Sequence, residues 1–393
     1  MRRCGRIAGA LLLIAAGRPR LAHAQQSVSD VLTFLVTNQS VDTGSIERDR
    51  AAAQATSDTI SRALLANLAT LPITTSSNAF VYRLNPELGT VERGTRSFGP
   101  FFVERALTAG TGQASFGLTV QQMRFTSLDG HNLRDGSLVT TANQFADESA
   151  PFDVDQLALK IDASVATLYG NVGVTRRLDV GFAVPMVALR VSGTRVNTYR
   201  GRAFTQATAS ATAIGVADVV LRSKYTLFEQ EGDGLAAAVD VRLPTGRRED
   251  LLGAGSASMH IAGIGSLERG WIAGHANAGV SVGGLARELS YGGAVTAAAT
   301  NHLTLTGELV GRWIDSPGGI VPISVASPTL IGVNTIRLVP DTSTLNTITA
   351  VPGFKWNLTN TWVLAGSVAI PVTHAGLTAP FTPFLGVDYA FAR

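Results

Sequence analysis

Polar and apolar residues alternate along many short segments of this chain. In the segment 157–165 the odd positions are mostly apolar, while the even positions include Lys160 and Asp162. The segment 235–243 repeats the pattern, with Asp240 among its polar positions. Because successive side chains of a strand point to opposite faces, each segment predicts a strand with one apolar and one polar face.

The connections between these segments alternate between long and short. From residue 114 onward we predict twelve strands, at 114–126, 154–174, 180–192, 213–228, 234–244, 258–268, 271–284, 289–299, 303–314, 345–357, 362–373 and 380–391. Long outer loops and short periplasmic turns are typical of a transmembrane antiparallel up-and-down β-barrel. We therefore predict an all-β protein of the bacterial outer membrane, with the barrel at 111–393 and polar faces turned toward the lumen.

The first residues predict a secretory signal peptide over 1–24. Arg2, Arg3 and Arg6 precede a short apolar run, and an Ala-x-Ala site ends at Ala24. This leader holds five arginines and no acidic residue, so the net charge of +3 becomes +3 − 5 = −2 in the mature chain. The only cysteine, Cys4, also lies in the leader. We therefore expect no disulfide, and the basic balance is no argument for a nucleic-acid partner.

Residues 25–110 differ from the barrel and predict a partly helical segment. An Ala-rich stretch at 45–71 has an apolar stripe formed by Ile60, Leu64, Leu68 and Leu71. A hairpin is predicted to follow, from 79 to 93. Two interpretations remain open, a periplasmic appendage and a plug inside the lumen. A hairpin inserted into the wall from residues 79–106 would raise the strand number to fourteen.

The alternation places a set of charged side chains on the predicted lumen face. They are Lys160, Asp162, Asp218, Arg222, Lys224, Asp240, Arg242, Glu308, Arg312 and Lys355, with Glu268 and Asp388 near the periplasmic mouth. One interpretation is a structural network of ion pairs across the strands. The other is a lining that orients a solute or sets selectivity. Because the twelve charges sum to zero, they do not favour a strongly selective anion pore.

The sequence gives no support for an enzyme. The histidines of the mature chain lack the spacing of a metal site, and no Gly-x-Ser-x-Gly motif is present. His275 and Asn277 share one strand face, as residues of some barrel phospholipases do, but we interpret them as lumen residues. We expect no catalytic residue, cofactor or metal.

Several stretches resemble a known group of transporters. They are 168–181, 218–225, 240–246 and 351–355. In these the chain resembles FadL-like and phenol meta-pathway-type outer-membrane transporters, over roughly 114–391. The resemblance implies passage of small hydrophobic or aromatic solutes, with an N-terminal segment plugging the lumen. The last strand also resembles the closing strand that the barrel assembly machinery recognises, although Ala392 and Arg393 follow its final aromatic residue, Phe391.

Two other functions stay open, a structural or binding barrel with a closed lumen and a general diffusion porin. A transport pathway is favoured by small residues at predicted inward positions, namely Gly117, Thr119, Ala158, Ser164, Ala236, Ala238, Thr304 and Thr306. Pro185 lies within a predicted strand, where it removes a donor from the ladder. It either kinks the wall and opens a lateral exit into the bilayer, or ends the strand early.

Overall fold

The computed structural model describes residues 27–36, 58, 60–62, 65, 82–85, 90–93, 95–230, 232–315, 319–327, 330–341, 343–359 and 361–391. The predicted signal peptide lies outside these residues. So does most of the helix predicted at 45–71, including Leu64, Leu68 and Leu71.

Twelve antiparallel strands form one closed ring. They are β3 (Ala114–Phe125), β7 (Asp153–Gly173), β8 (Leu178–Tyr199), β10 (Val220–Gln230), β11 (Asp233–Arg242), β12 (Ser258–Arg269), β13 (Ile272–Gly283), β14 (Glu288–Ala298), β15 (Leu303–Ile314), β18 (Leu345–Thr359), β19 (Trp362–Pro371) and β21 (Thr382–Phe391). The ring closes where β3 pairs with β21 on one side and with β7 on the other. The predicted all-β barrel of twelve strands is therefore confirmed.

The predicted N-terminal hairpin forms a separate sheet. It consists of β1 (Tyr82–Asn85) and β2 (Thr90–Arg93), which pair only with each other among the described strands. It adds no strand to the ring, so twelve rather than fourteen is the strand number of the barrel.

The wall is much taller on one side. β7 and β8 contain 21 and 22 residues, whereas ~9–11 tilted residues cross a bilayer. The remaining strands are β4 (Ser127–Leu128), β5 (His131–Asn132), β6 (Leu138–Phe145), β9 (Arg202–Val216), β16 (Gly319–Ala326), β17 (Val333–Asp341) and β20 (Leu377–Thr378). Of these, β6 and β9 extend the sheet beside the upper parts of β7 and β8, away from the tight turns.

The outer face of the ring carries large apolar side chains exposed to the surroundings. Leu168, Leu235 and Leu305 are about half exposed, at 50%, 55% and 51%. The residues that alternate with these along each strand point inward and are mostly polar, small or buried. A closed barrel with an apolar outside, a polar inside and tight turns at one end is the architecture of the bacterial outer membrane.

A short helix, α1 (Val28–Val36), packs inside the barrel at the end with the long loops. Its N-terminus is capped reciprocally, since the Asp30 N–H donates to the Ser27 hydroxyl at 3.1 Å and the Ser27 N–H to the Asp30 carboxylate at 3.3 Å. Val28, Leu32 and Leu35 are fully buried against the inner faces of β7, β8 and β9. No described helix is long and apolar enough to span a membrane.

This helix reverses the facing predicted for part of β7. The apolar odd residues, such as Leu159 and Ile161, point inward and are fully buried in the cluster around α1. Lys160 is exposed on the outer side, and Asp162 pairs there with Arg134 at 2.7 Å. The prediction that these two charges line the lumen is therefore wrong, as is the inward placement of Ala158 and Ser164. The inner face here is apolar because it packs on an apolar helix. On the outer face, Lys160 lies 13 residues before the end of β7 at Gly173, more than the ~9–11 residues that cross a bilayer.

Candidate functional site

Residues 95–110 cross the interior of the barrel at the end with the tight turns. The Phe98 N–H donates to the Thr304 hydroxyl at 3.0 Å, and the Ala106 N–H donates to Ser266 at 2.9 Å. Near the exit into β3, the Thr108 hydroxyl donates to the Arg176 carbonyl, in a tight turn, at 2.7 Å. This stretch, which we call the lumen segment, therefore binds inward residues of strands from several sides.

Glu308 provides the most concentrated contact with the lumen segment. Its buried carboxylate accepts the N–H groups of Phe101, Phe102 and Val103, the last two at 2.8 and 2.9 Å. Three donors to one carboxylate satisfy a charge that would be costly to bury alone. A single side chain of β15 thus fixes three consecutive residues of the segment.

Two lysines bind carbonyl groups of the same segment. Lys224 donates to the carbonyls of Arg105 and Leu107 at 3.1 and 2.8 Å. Lys355 donates to the Pro100 carbonyl at 3.0 Å. Because irregular backbone has no ladder to satisfy its carbonyls, these ammonium groups supply the missing donors.

At the other end of the segment, Asp179 accepts the Ala109 N–H with both carboxylate oxygens, at 3.2 and 3.0 Å. Asp179 is buried at the start of β8, directly after a tight turn. Lysines of the wall therefore bind carbonyls of the segment, and carboxylates of the wall bind its N–H groups.

Above the lumen segment lies a cavity of about 420 Å³ that reaches the long loops. One wall is apolar and contains Phe102, Met123, Phe125 and Phe384, with the Phe102 and Phe384 rings 5.3 Å apart, edge to face. The opposite wall is charged and contains Arg222, Asp240, Arg242, His260, Glu288 and Arg312. The cavity can hold a small molecule with an apolar body and a polar group.

Ion pairs join the charged wall to the lumen segment. The guanidinium of Arg222 pairs with Glu104 of the segment and lies 3.2 Å from the Asp240 carboxylate. Arg312 forms a two-pronged contact with Glu288 at 2.9 and 2.7 Å. The three arginines of this wall balance its two carboxylates together with Glu104 of the segment, since +3 − 2 − 1 = 0.

A polar relay crosses the same wall. His260 Nδ1 lies 3.1 Å from the Asp240 carboxylate, and His260 Nε2 lies 2.9 Å from the Ser290 hydroxyl. Gly279, on the strand between those of His260 and Ser290, leaves room for the ring, since a Cβ there would lie 2.5 Å from Nε2. The three side chains come from β11, β12 and β14, and all three line the cavity.

Asp218 has a different role from the other inward charges. It lies between β9 and β10, where its carboxylate accepts the N–H groups of Gly246 and Ala254 at 3.0 and 2.8 Å. These contacts hold the loop at 243–257 against the wall.

Strand β8 continues through Pro185, which pairs with Thr167. The Pro185 carbonyl accepts the Ala217 N–H at 2.8 Å. The break in the ladder beside β8 lies between β9 and β10, at residues 217–219.

The structure thus separates the ten charges that the sequence placed in the lumen. Arg222, Lys224, Glu308 and Lys355 bind the lumen segment, Asp240, Arg242 and Arg312 line the cavity, Asp218 holds a loop, and Lys160 and Asp162 face outward. Sequence reasoning missed Glu104, Asp179, His260 and Ser290. The even positions 258, 260 and 262 of one strand share a face, so strand alternation could have placed His260 in the lumen.

Metal chemistry has no visible site in the described part of the chain. Residues 27–36 and the described portion of the barrel contain no group of three His, Cys, Asp or Glu side chains that could hold an ion. The wall instead offers hydrogen-bonding and charged groups facing apolar side chains.

No family model and no curated protein matches the chain. Among solved structures, an outer membrane channel from Pseudomonas putida F1 is similar over 73% of this chain and 98% of its own, with 16% identity and a TM-score of 0.49. The transport unit of the autotransporter AIDA-I from Escherichia coli is similar over 84% of this chain and 98% of its own, with 12% identity and a TM-score of 0.37. The CymD monoaromatic hydrocarbon channel is similar over 72% of this chain and 90% of its own, with 8% identity and a TM-score of 0.27.

Proposed function

We propose that this protein is an outer-membrane channel for small solutes with an apolar or aromatic body, and that the lumen segment limits passage through it. One observation carries the proposal. A cavity with an aromatic wall and a charged wall lies inside the barrel, directly above a segment that crosses the end with the tight turns.

The apolar wall favours a solute with an apolar body over a sugar or a free ion. Phe102 belongs to the lumen segment, whereas Phe125 and Phe384 belong to the barrel, so a bound ring or chain would contact both parts. A cavity of about 420 Å³ is within the ~300–1,000 Å³ typical of small-molecule sites. A solute that inserted between the Phe102 and Phe384 rings, now 5.3 Å apart, would replace a contact between segment and wall.

The test compares two tracers in proteoliposomes containing the full-length mature protein. We expect uptake of an aromatic carboxylate such as benzoate to saturate and to exceed uptake of a small sugar. Phe384→Ala should raise the half-saturating concentration about ten-fold, since ~1.4 kcal/mol of lost apolar contact corresponds to that factor. Leu385→Ala is the matched control, because Leu385 faces outward and is 64% exposed.

Each outcome separates the proposal from an alternative. Equal, unsaturable uptake of both tracers would favour a general diffusion porin. No uptake of either tracer, with a correctly folded barrel, would favour a structural or binding barrel with a closed lumen. An effect of Leu385→Ala as large as that of Phe384→Ala would remove the cavity from the argument.

A further inference from the structure

We propose that Ser290, His260 and Asp240 form a hydrolytic site, with Ser290 as nucleophile toward carboxylic esters that enter the lumen cavity. The proposal does not depend on transport. It rests on the order of contacts from carboxylate to imidazole to hydroxyl, and on the position of all three groups in the cavity wall.

The chemistry of the donors sets the direction of the relay. An ionised carboxylate can only accept, so the Nδ1 that faces Asp240 at 3.1 Å carries the proton. Nε2 of His260 is then an acceptor, and the Ser290 hydroxyl at 2.9 Å donates to it. The Gly279 carbonyl is a second acceptor for this hydroxyl at 3.3 Å, so the shorter contact is with the imidazole. This arrangement of base, orienting carboxylate and nucleophile is the one that activates serine for acyl transfer.

The three groups differ in access and support. The side chains of His260 and Asp240 are 29% and 15% exposed, so solute in the cavity can reach the imidazole. Asp240 is held from the other side by Arg222 at 3.2 Å. Asp240 is therefore a positioning residue, whereas Ser290 and His260 would touch the substrate.

A cation that also pairs with Glu288 lies beside the charge that develops during reaction. Arg312 lies directly across from Ser290 in the β14–β15 pair, and both side chains point into the lumen. Directly opposed residues of an antiparallel pair have Cβ atoms ~4.5–5.5 Å apart. Backbone N–H groups in a strand are used by the ladder, so a guanidinium replaces the backbone donors that usually stabilise an oxyanion.

The reaction is balanced by water alone. The Ser290 oxygen bonds to the ester carbonyl carbon as its proton passes to His260 Nε2. The ester C–O bond then breaks, and the alcohol leaves with that proton. Water attacks the acyl-serine in the same way, which releases the carboxylic acid and restores the Ser290 hydroxyl. The apolar side of the substrate would pack on Phe125 and Phe384, so small esters with an apolar acyl group fit best.

The experiment uses the full-length mature protein in detergent micelles, with a fluorophosphonate probe and p-nitrophenyl butyrate as the ester. We expect the probe to label one serine, which mass spectrometry identifies as Ser290. Ser290→Ala should abolish labelling, and His260→Gln should reduce ester hydrolysis by ~10²–10⁴-fold. Asp240→Asn should lower kcat with little change in KM, because the lost function is orientation of the base.

Ser223→Ala is the matched control. Ser223 lies on β10 between Leu221 and Tyr225, which are exposed, and it does not line the cavity. Its variant should label and hydrolyse like the parent protein. An unlabelled parent protein, a label on another serine, or labelling that persists in Ser290→Ala would overturn the proposal. Mapping the label on the parent protein decides the question even if a variant fails to fold. Flux in proteoliposomes is measured separately, so either function can fail alone.

Discussion

The ammonium group of Lys355 lies 4.8 Å from the centre of the Phe101 ring. The same group donates to the carbonyl of the preceding residue, Pro100, at 3.0 Å. A cation over an aromatic face contributes ~0.5–2 kcal/mol, more when water is excluded. Lys355 of the wall therefore contacts both a side chain and a backbone carbonyl of the lumen segment. Two contacts at one place fix the position of the segment in the lumen.

Releasing this segment should increase passage. Glu308→Gln keeps the shape of the side chain but removes the charge that accepts three N–H groups. Hydrogen bonds to charged groups contribute ~1.5–3 kcal/mol, so the segment should dissociate more often. Single-channel recordings should show more frequent or larger openings than in the parent protein. The control is Glu288→Gln, because Glu288 pairs with Arg312 and not with the segment. It should leave the frequency and size of the openings unchanged.

The facing of β7 can be tested by placing a charge on its outer side. Leu168→Arg puts a cation among apolar residues of the lipid face, which costs ~2–4 kcal/mol near the midplane. We expect a smaller fraction of heat-modifiable, folded protein on gels. Lys160→Glu should have no effect, because this position on the same outer face already carries an exposed charge. If both variants assembled equally well, the assignment of the outer face would be wrong.

Most strand positions were predictable because period-two alternation is a local property. The strand predicted at 213–228 was wrong, since it covers the end of β9, the gap at 217–219 and most of β10. Which face points inward was not predictable, as Leu159 and Lys160 show, because alternation is unchanged when the two faces are exchanged. The inner face near α1 is apolar only because a distant helix covers it. The relay of Asp240, His260 and Ser290 was missed for a similar reason, since these residues come from three strands and form no motif in sequence.

Asp218 should stabilise the loop at 243–257 more than any exposed ion pair there. Asp218→Ala removes two charge-assisted contacts, to Gly246 and Ala254, and should make the loop sensitive to protease. Limited proteolysis with mass mapping measures the change. Asp250→Ala, which breaks a pair with the exposed Arg247, should matter little. Equal sensitivity in the two variants would argue against the role of Asp218.

The lateral exit at Pro185 remains a prediction. Pro185→Ala restores a backbone donor beside the interrupted stretch at 217–219. We expect slower uptake of an apolar tracer and unchanged uptake of a small sugar. Parallel changes in both tracers, or no change in either, would contradict a lateral route and leave a path along the barrel axis.

The last strand should matter for assembly more than for the finished barrel. β21 closes the ring between β3 and β19 and ends at Phe391, which is 47% exposed. Phe391→Ala should slow insertion in cells while leaving the folded protein as heat-resistant as before, and pulse-chase analysis measures the rate. Phe381→Ala, a change of the same type just outside the strand, is the control. Equal delays would show that any exposed aromatic residue here serves equally.

The position of α1 has a consequence for the order of events during biogenesis. α1 precedes the lumen segment in sequence, yet it packs near the long loops, while the segment joins β3 at the opposite end. Two parts of the chain that precede the first strand of the wall therefore lie inside the barrel at opposite ends. A ring that closed first would have to be threaded by both parts. Assembly avoids threading if the N-terminal part occupies the nascent sheet before β21 meets β3, so the last step of closure also traps it.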